Sequence, residues 1–127
     1  MSEKKKNTNT PEILNRRARF EYYFVSTYEA GMVLQGTEIK SIRQGKVNLN
    51  DAYCTFDQGE LIIRNMYIAE YENGTYSNHD PRRPRKLLLR RAELRKLERR
   101  VAEKGMTIAP YRLFFNERGF VKLEIAL

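Results

Sequence analysis

The stretch "MTIAPYRLFFNERGFVKLEIAL" (106–127) is the most informative part of the chain about its fold. In its second half Val121, Leu123, Ile125 and Leu127 alternate with other residues, which is typical of a strand that buries one face. The "NERG" before this strand supplies turn residues between it and an earlier apolar run. We therefore predict that the chain closes with a β-hairpin.

Upstream of the hairpin the apolar pattern changes to a helical one. Leu94, Leu97 and Val101 lie on one face of a helix, with charged residues on the other faces. Gly105 occupies the position just after the last helical residue, where glycine commonly ends a helix. This pattern predicts a helix over about 90–104.

Earlier stretches have the composition of strands and turns. "RFEYYFV" (19–25) is rich in aromatic residues, and "DAYCTFDQGELIIRNMYIAEY" (51–71) divides into two apolar segments at "DQG". Gly59 suits the positive φ of a tight turn, so this second stretch predicts another hairpin. The turn-rich "NGTYSNHDPRRPR" (73–85), with two prolines, predicts a loop.

Two segments between these strands are less clear. In "STYEAGMVL" (26–34), Glu29 follows Ser26 by three residues as in a capping box, which predicts a short helix over about 27–34. "GTEIKSIRQG" (36–45) fits a helix by the spacing of its isoleucines and a strand by its β-branched content. We leave both alternatives open for this segment and favour the strand.

These elements together predict the fold class. A chain of 127 residues has the length of one domain, and short strands without regular βαβ alternation favour an antiparallel barrel or sandwich. We predict a mainly β fold, an OB-type (oligonucleotide-binding) antiparallel β-barrel with accessory helices. Residues 1–13 are predicted to form a disordered basic N-terminal tail, and residues 14–127 a single OB-like domain.

The positive charge of the chain is concentrated in two segments. Of the net charge of +8, residues 1–19 contribute +4 and residues 80–104 contribute +7, whereas residues 20–79 carry −4. Two dense basic segments around a milder body are typical of a binding surface for a polyanion. Nucleic acid is favoured over an acidic protein, a membrane surface or a merely solvated face.

Several classes of function lack the residues that they need. No apolar run approaches the roughly 20 residues of a membrane span, and no signal peptide is present, so we expect a cytoplasmic protein without a membrane partner. The single Cys54 and the single His79 leave no disulfide and no zinc-type ligand set. We predict no enzymatic activity, cofactor, metal or small-molecule substrate, and we assign His79 to a turn or to an RNA contact.

The segment "RKLLLRR" (85–91) places three leucines inside the densest basic region. In a helix that continues the phase of Leu94, Leu87 faces the core and Leu88 lies more than about 100° away. In an extended chain Leu87 and Leu89 share one side and Leu88 takes the other. Under either geometry we predict that Leu88 points outward among the basic side chains.

Three long segments resemble the small protein B family, the SsrA-binding proteins of bacterial trans-translation: "LNRRARFEYYF" (14–24), "YEAGMVLQGTEIKSIRQGKVNLNDAY" (28–53) and "DPRRPRKLLLRRAEL" (80–94). The resemblance runs through nearly all of residues 14–127, in the same order and spacing. It implies an OB-type barrel that binds the tRNA-like domain of transfer-messenger RNA. The implied complex enters a stalled 70S ribosome and adds a degradation tag to the incomplete polypeptide.

The resemblance also implies which residues contact the RNA. The family's asparagine before the basic "RRAR", its glutamate in "EAG" and the middle leucine of its "KLLL" correspond to Asn15, Glu29 and Leu88. Arginine and lysine neutralise phosphates, whereas asparagine and glutamate can contact base edges or 2′-hydroxyls. For Asn15 and Glu29, helix caps remain the alternative. The matching basic positions are Arg16, Arg17, Arg19, Lys40, Arg43, Lys46, Arg85 and Lys86.

The sequence departs from the family after its last strand. Members usually continue into a basic tail, which the resemblance assigns to the ribosomal decoding centre and message channel, whereas this sequence ends at Leu127. We expect residues 1–127 to bind the RNA and to fail in supporting peptide transfer on the ribosome. Two other functions stay open here: a ribosome-associated structural protein with less RNA specificity, and an RNA-processing enzyme.

Overall fold

A computed structural model of the protein describes residues 11–15, 26–72 and 78–127. Within these ranges the elements follow in a simple order along the chain. They are β1 (Ile13–Leu14), β2 (Thr27–Met32), α1 (Gly36–Arg43), β3 (Val47–Asn48), β4 (Tyr53–Asp57), β5 (Glu60–Arg64), β6 (Tyr67–Ile68), β7 (Arg85–Leu88), α2 (Arg91–Lys104), β8 (Ala109–Phe115) and β9 (Val121–Ala126).

The strands assemble into one large antiparallel sheet and one small one. Seven strands lie in the order β1-β8-β9-β2-β7-β5-β4, while β3 and β6 pair with each other. The large sheet curls into a half-barrel, and α1 and α2 accompany it. The predicted mainly β, OB-type fold with accessory helices is therefore confirmed.

The closing hairpin forms as the sequence predicts. β8 and β9 pair from Ala109 with Ala126 to Phe115 with Val121, with a register shift between Pro110 and Arg112. The predicted inward positions of β9 are buried, and Leu123 and Ile125 have no exposed surface. These two side chains join the core of the curled sheet. The alternation in sequence thus sets which face of β9 is inside.

The long helix is also confirmed. α2 begins at Arg91, where the carboxylate of Glu93 accepts a hydrogen bond from the backbone N–H of Arg90 (3.2 Å). Its end is set by Gly105, whose φ of 65° is left-handed and whose N–H donates to the carbonyl of Val101. Leu97 is fully buried against the sheet. No helix in the described ranges is long and apolar enough to cross a membrane.

The predicted short helix over about 27–34 is wrong. Residues 27–32 form the strand β2, which pairs with β9 on one side and with β7 on the other. A cap pattern contributes only about 1 kcal/mol, so it does not outweigh two rows of strand pairing and the complete burial of Ala30. The favoured strand at 36–45 is also wrong, because residues 36–43 form α1.

α1 begins with a capping box formed by Gln35 and Glu38, which we did not predict from the sequence. The carboxylate of Glu38 accepts a hydrogen bond from the backbone N–H of Gln35 (2.8 Å), which fixes the first turn. Ile42 is buried and Ile39 packs against the core. The three-residue spacing of these isoleucines therefore indicated the buried face of a helix. The alternative that we left open was therefore the correct one.

The other predicted elements have mixed outcomes. The hairpin at "DQG" is confirmed, with β4 and β5 joined by Gln58 and Gly59, both at positive φ. Ile13, which we placed in the N-terminal tail, pairs with Leu113 of β8. Residues 78–84 contain no helix or strand, as predicted for this part of the loop. The strand predicted at 19–25 lies outside the described residues, as do residues 1–10 and 73–77.

Candidate nucleic-acid interface

The outer face of the large sheet presents Leu88, the last residue of β7. Along β7, Arg85 and Leu87 are buried while Lys86 and Leu88 are exposed, as in any strand with one inner face. The extended alternative for the three leucines is therefore the correct one, and 48% of the Leu88 surface is open to solvent. Directly opposite Leu88, on β2, lies Gly31.

Glu29 lies on the same outer face as Gly31, two residues earlier in β2. It is exposed and pairs in register with Glu124 of β9. The carboxylate of Glu124 accepts a hydrogen bond from Arg112 (2.9 Å), so this second acid is already partnered. Since Glu29 stands in mid-strand, the helix-cap alternative for it is wrong.

Three predicted cations are presented by α1 and the turn after it. The ammonium group of Lys40 lies 5.4 Å from the ring centroid of Tyr71. The guanidinium of Arg43 lies 4.8 Å from the ring centroid of Phe115. Such cation–π contacts orient a side chain and leave its N–H donors for other partners. Lys46 is exposed as well and forms an ion pair with Glu72 (3.2 Å).

Lys86 presents a further cation beside Leu88. Its ammonium group lies 2.8 Å from a carboxylate oxygen of Glu60, and both side chains are about half exposed. An exposed ion pair of this kind contributes only about 0–1 kcal/mol. Lys86 can therefore exchange Glu60 for a phosphate at little cost.

Arg85 lies in the interior, so the structure does not support the direct RNA contact expected of it. Its side chain has no exposed surface. Its Nε donates to Glu38 (2.6 Å), and its two terminal nitrogens donate to the carbonyls of Met66 (2.7 Å) and Pro81 (3.1 Å). With these donors used inside the protein, Arg85 joins α1 to β7 and to the loop before β7.

Glu38 is the buried anion that this network surrounds. Arg83 also binds it with two nitrogens, at 3.0 Å and 2.7 Å. Burial by itself would raise the pKa of the Glu38 carboxyl, but hydrogen bonds from Arg83, the Gln35 backbone and Arg85 outweigh it and lower that pKa. Burial lowers the pKa of Arg85, although Glu38 opposes this; an arginine keeps its charge at neutral pH all the same.

His79 lies in the loop before β7 and makes contacts inside the protein. It is buried, and its Nε2 lies 2.9 Å from the carbonyl oxygen of Ile68. A carbonyl only accepts, so Nε2 donates this hydrogen bond, and Nδ1 lies 2.9 Å from the Thr37 hydroxyl. His79 thereby ties the N-terminus of α1 to β6, and it has almost no surface for RNA.

Asn15 is held against the hairpin. It is buried, its side-chain amide donates to the carbonyl of Pro110 (2.9 Å), and its backbone N–H donates to the carbonyl of Tyr111 (2.9 Å). The helix-cap alternative for Asn15 stays open, because the residues after it lie outside the described ranges. Its basic neighbours Arg16, Arg17 and Arg19 lie outside the described residues.

Cys54 is the one cysteine of the chain, and it lies on the edge strand β4. Burial raises the pKa of the Cys54 thiol to about 12, so this side chain is protonated at neutral pH and a poor nucleophile. Within residues 11–15, 26–72 and 78–127, no three His, Cys, Asp or Glu residues are grouped closely enough to hold a metal ion.

Two residues of this face were missed as candidates. Lys122 of β9 pairs with Gly31 in register, and Phe120 lies just before β9 with 60% of its surface exposed. Both occupy outward positions of the alternation that identified the buried face of β9, so the sequence already contained the signal. For Glu38, by contrast, nothing in the sequence marks it as buried.

The comparisons with known proteins agree with this geometry. The family model described as "SmpB protein" matches residues 12–127. The chain belongs to the SmpB family. It is 60% identical over 115 residues to an SsrA-binding protein of Phocaeicola vulgatus, which covers 91% of this chain and 77% of that protein. The predicted family resemblance is confirmed.

Two further SmpB relatives extend the comparison. An SsrA-binding protein of Thermus thermophilus is 51% identical over 117 residues. This alignment covers 92% of this chain and 81% of the Thermus protein. A solved structure described as "tmRNA-SmpB: a journey to the center of the bacterial ribosome" has a TM-score of 0.76 and 51% identity. That match covers 93% of this chain and 82% of the other. The SmpB fold is thus shared over nearly all of the described residues.

Proposed function

We propose that this SmpB chain is an RNA-binding adaptor. It binds the tRNA-like domain of transfer-messenger RNA, the SsrA RNA, and delivers it to stalled 70S ribosomes for trans-translation. The observation that carries the proposal is the match to SsrA-binding proteins at 51–60% identity over about nine tenths of the chain.

The geometry supports an RNA contact on the outer face of β7, β2 and β9. This face combines an exposed leucine and an exposed glutamate with a lysine on either side of them, at Leu88, Glu29, Lys86 and Lys122. Structured RNA is recognised through unstacked bases and 2′-hydroxyls within a field of phosphate contacts, and this mixture of side chains suits such contacts. The exposed cations of α1 supply further phosphate contacts.

The predicted contact residues divide into two groups in this proposal. Glu29, Lys40, Arg43, Lys46, Lys86 and Leu88 act at the surface, and Arg16, Arg17 and Arg19 are proposed from the family resemblance alone. Arg85 and Asn15 act indirectly, because both are buried and use their side chains on internal carbonyls or carboxylates. Their role is to position the segments that carry the exposed groups.

A binding titration tests the proposal. The chain is titrated with the tRNA-like domain of transfer-messenger RNA and, in parallel, with an elongator tRNA at increasing salt. Phosphate contacts weaken with salt for both RNAs, so both affinities should fall, while the preference for the tRNA-like domain should persist. Equal affinity for the two RNAs at every salt concentration would contradict the adaptor and favour a general structural protein.

We also infer that the chain acts by binding alone, in the cytoplasm where ribosomes translate. The relatives are named as binding proteins, and the interface consists of cations, exposed acids and apolar groups. Incubation of the RNA with the chain and Mg²⁺ should leave the RNA intact. Cleavage or covalent modification that depends on the chain would overturn this part of the proposal.

A further inference from the structure

The loop before β7 and the start of β7 carry two arginines that share one buried carboxylate. Arg83 binds both oxygens of Glu38, at 3.0 Å and 2.7 Å, and Arg85 binds one of them at 2.6 Å. The side chains of Glu38 and Arg85 have no exposed surface, whereas 25% of the Arg83 side chain is open to solvent. Two cations of the most basic part of the sequence are therefore neutralised by an acid from α1.

Arg83 is the arginine of this cluster that reaches the surface. Arg85 is fully buried and has two carbonyl partners besides Glu38. The other hydrogen bonds of Arg83 within the described residues go to the carbonyls of Val33 and Pro84, and both are 3.4 Å long and weak. The attachment of the Arg83 guanidinium to the protein thus depends mainly on Glu38.

An arginine that is free at the surface binds any phosphate. Each phosphate that a protein neutralises releases counterions, and this contribution to affinity does not depend on the sequence of the RNA. A guanidinium that is paired bidentately with a carboxylate must first break those charge-assisted hydrogen bonds. An acid that occupies such arginines therefore lowers the affinity for all RNAs and leaves the discriminating contacts in place.

We propose that Glu38 is a specificity-determining residue, which withholds Arg83 and Arg85 from RNA phosphates and so keeps the sequence-independent affinity low. This inference rests on the proposed function and gives a role in it to an acid that has no surface for RNA. The net charge of +8 attracts every polyanion, so selectivity is improved when cations without a discriminating contact are withheld. Glu38 acts through the two arginines and is a positioning residue.

The same carboxylate also fixes the two segments that carry exposed cations. Glu38 lies in the first turn of α1, where it accepts the backbone N–H of Gln35, and Arg85 is the first residue of β7. A selective complex needs α1 and β7 in a fixed arrangement, whereas sequence-independent binding needs only free cations. Loss of the Glu38 carboxylate should therefore strengthen sequence-independent binding without strengthening the selective complex.

Replacement of the buried pair tests this role without a change in net charge. Glu38→Met combined with Arg85→Met removes one acid and one base, so the net charge stays at +8. Apolar residues of similar volume in place of a buried ion pair are often neutral or stabilising, so we expect this double variant to fold. Arg83 is then left at the surface without its carboxylate.

The double variant should bind elongator tRNA more tightly than the wild type does. At about 50 mM salt the gain should be about three- to tenfold, and the slope of log affinity against log salt concentration should steepen by about 0.7–0.9, the value for one added phosphate contact. The preference for the tRNA-like domain should fall by the same factor. An unchanged slope or an unchanged preference overturns the proposal.

Arg83→Gln identifies the cause of the gain. Added to the double variant, it should restore the salt slope and the elongator-tRNA affinity of the wild type, whereas it would not reverse a merely structural effect of the lost carboxylate. A gain that persists without Arg83 contradicts the proposal.

Arg83→Gln by itself keeps the pair of Glu38 and Arg85, so it tests the withheld arginine even if the double variant is unfolded in thermal melts. It should bind both RNAs with the affinity and the salt slope of the wild type. A flatter slope would show that Arg83 already binds a phosphate, and the proposal would then be wrong.

The wild type separates this inference from the proposed function. If it shows no preference for the tRNA-like domain over elongator tRNA, the proposed function itself fails. If the wild type prefers the tRNA-like domain and the double variant keeps that preference in full, only the role of Glu38 fails.

Discussion

At the scale of single residues, successive side chains of β7 point to opposite faces of the sheet. Arg85 and Leu87 point inward and hold the strand, and Lys86 and Leu88 point outward. A sequence of basic residues and leucines cannot show this division until the backbone is known to be extended. The outward direction of Leu88 followed from either geometry, whereas the burial of Arg85 depended on its distant partner Glu38.

Leu88→Ala should reduce RNA affinity about tenfold, or about 1.4 kcal/mol, and change the melting temperature little, because the side chain is half exposed. The matched control is Leu87→Ala, which creates a cavity at a fully buried position and should cost about 2–5 kcal/mol of stability. Binding titrations measure the RNA affinity of the two variants, and thermal melts measure their stability. A large loss of stability in Leu88→Ala would show that Leu88 belongs to the core.

Glu38→Gln should destabilise the protein by about 3–5 kcal/mol, because it leaves Arg85 buried without its anion. The folded-state pKa of Glu38 lies below its ordinary value of 4.5, so its charge stabilises the fold fully above pH 4.5. That contribution is lost as the pH falls from 4.5 through the folded-state pKa. The wild type and the variant should therefore converge in stability in acid.

Urea unfolding between pH 7 and pH 3 measures this difference. Glu60→Gln is the matched control, since it removes a half-exposed partner of Lys86 and should cost under about 1 kcal/mol. A stability difference between Glu38→Gln and the wild type that stays constant into acid would refute the role assigned to Glu38.

At the scale of elements, local patterns predicted the hairpins and α2 but misassigned β2 and α1. The closing hairpin and α2 are both consistent with their own sequence: alternation and turn residues in one, an apolar face and a terminal glycine in the other. β2 is a strand because β7 and β9 pair with it from both sides, and that information lies more than fifty residues away. The interface also could not be predicted from local patterns. Its predicted residues came from a family resemblance, and the contacts of Glu38 with Arg83 and Arg85 become visible only in the folded structure.

The end of α2 offers a test of the element it closes. Gly105→Ala should destabilise the protein by about 1 kcal/mol, because Gly105 has a left-handed φ of 65° that alanine adopts reluctantly. Gly36→Ala, at the start of α1, is the matched control: no atom lies within 4 Å of the added methyl at either site, and the φ of Gly36 is not left-handed. It should be neutral or slightly stabilising. Equal effects in thermal melts would contradict this account of the α2 terminus.

At the scale of the whole molecule, the large curled sheet separates the core from the surface that we propose for RNA. Its inner face holds residues such as Leu123 and Ile125, and its outer face presents Leu88, Glu29 and Lys122. The net charge of +8 attracts any polyanion, so charge alone gives affinity without selectivity. We expect selectivity to come from the few exposed apolar and acidic groups on this face.

Mapping of amide chemical shifts on the 15.1 kDa chain, with and without the tRNA-like domain, locates the contact surface. The largest changes should fall on Gly31, Leu88, Phe120 and Lys122, and Tyr53 on the edge strand β4 should change little. Changes concentrated on β4, with the signals of the outer face of β2, β7 and β9 unaffected, would contradict the assignment of this face to RNA.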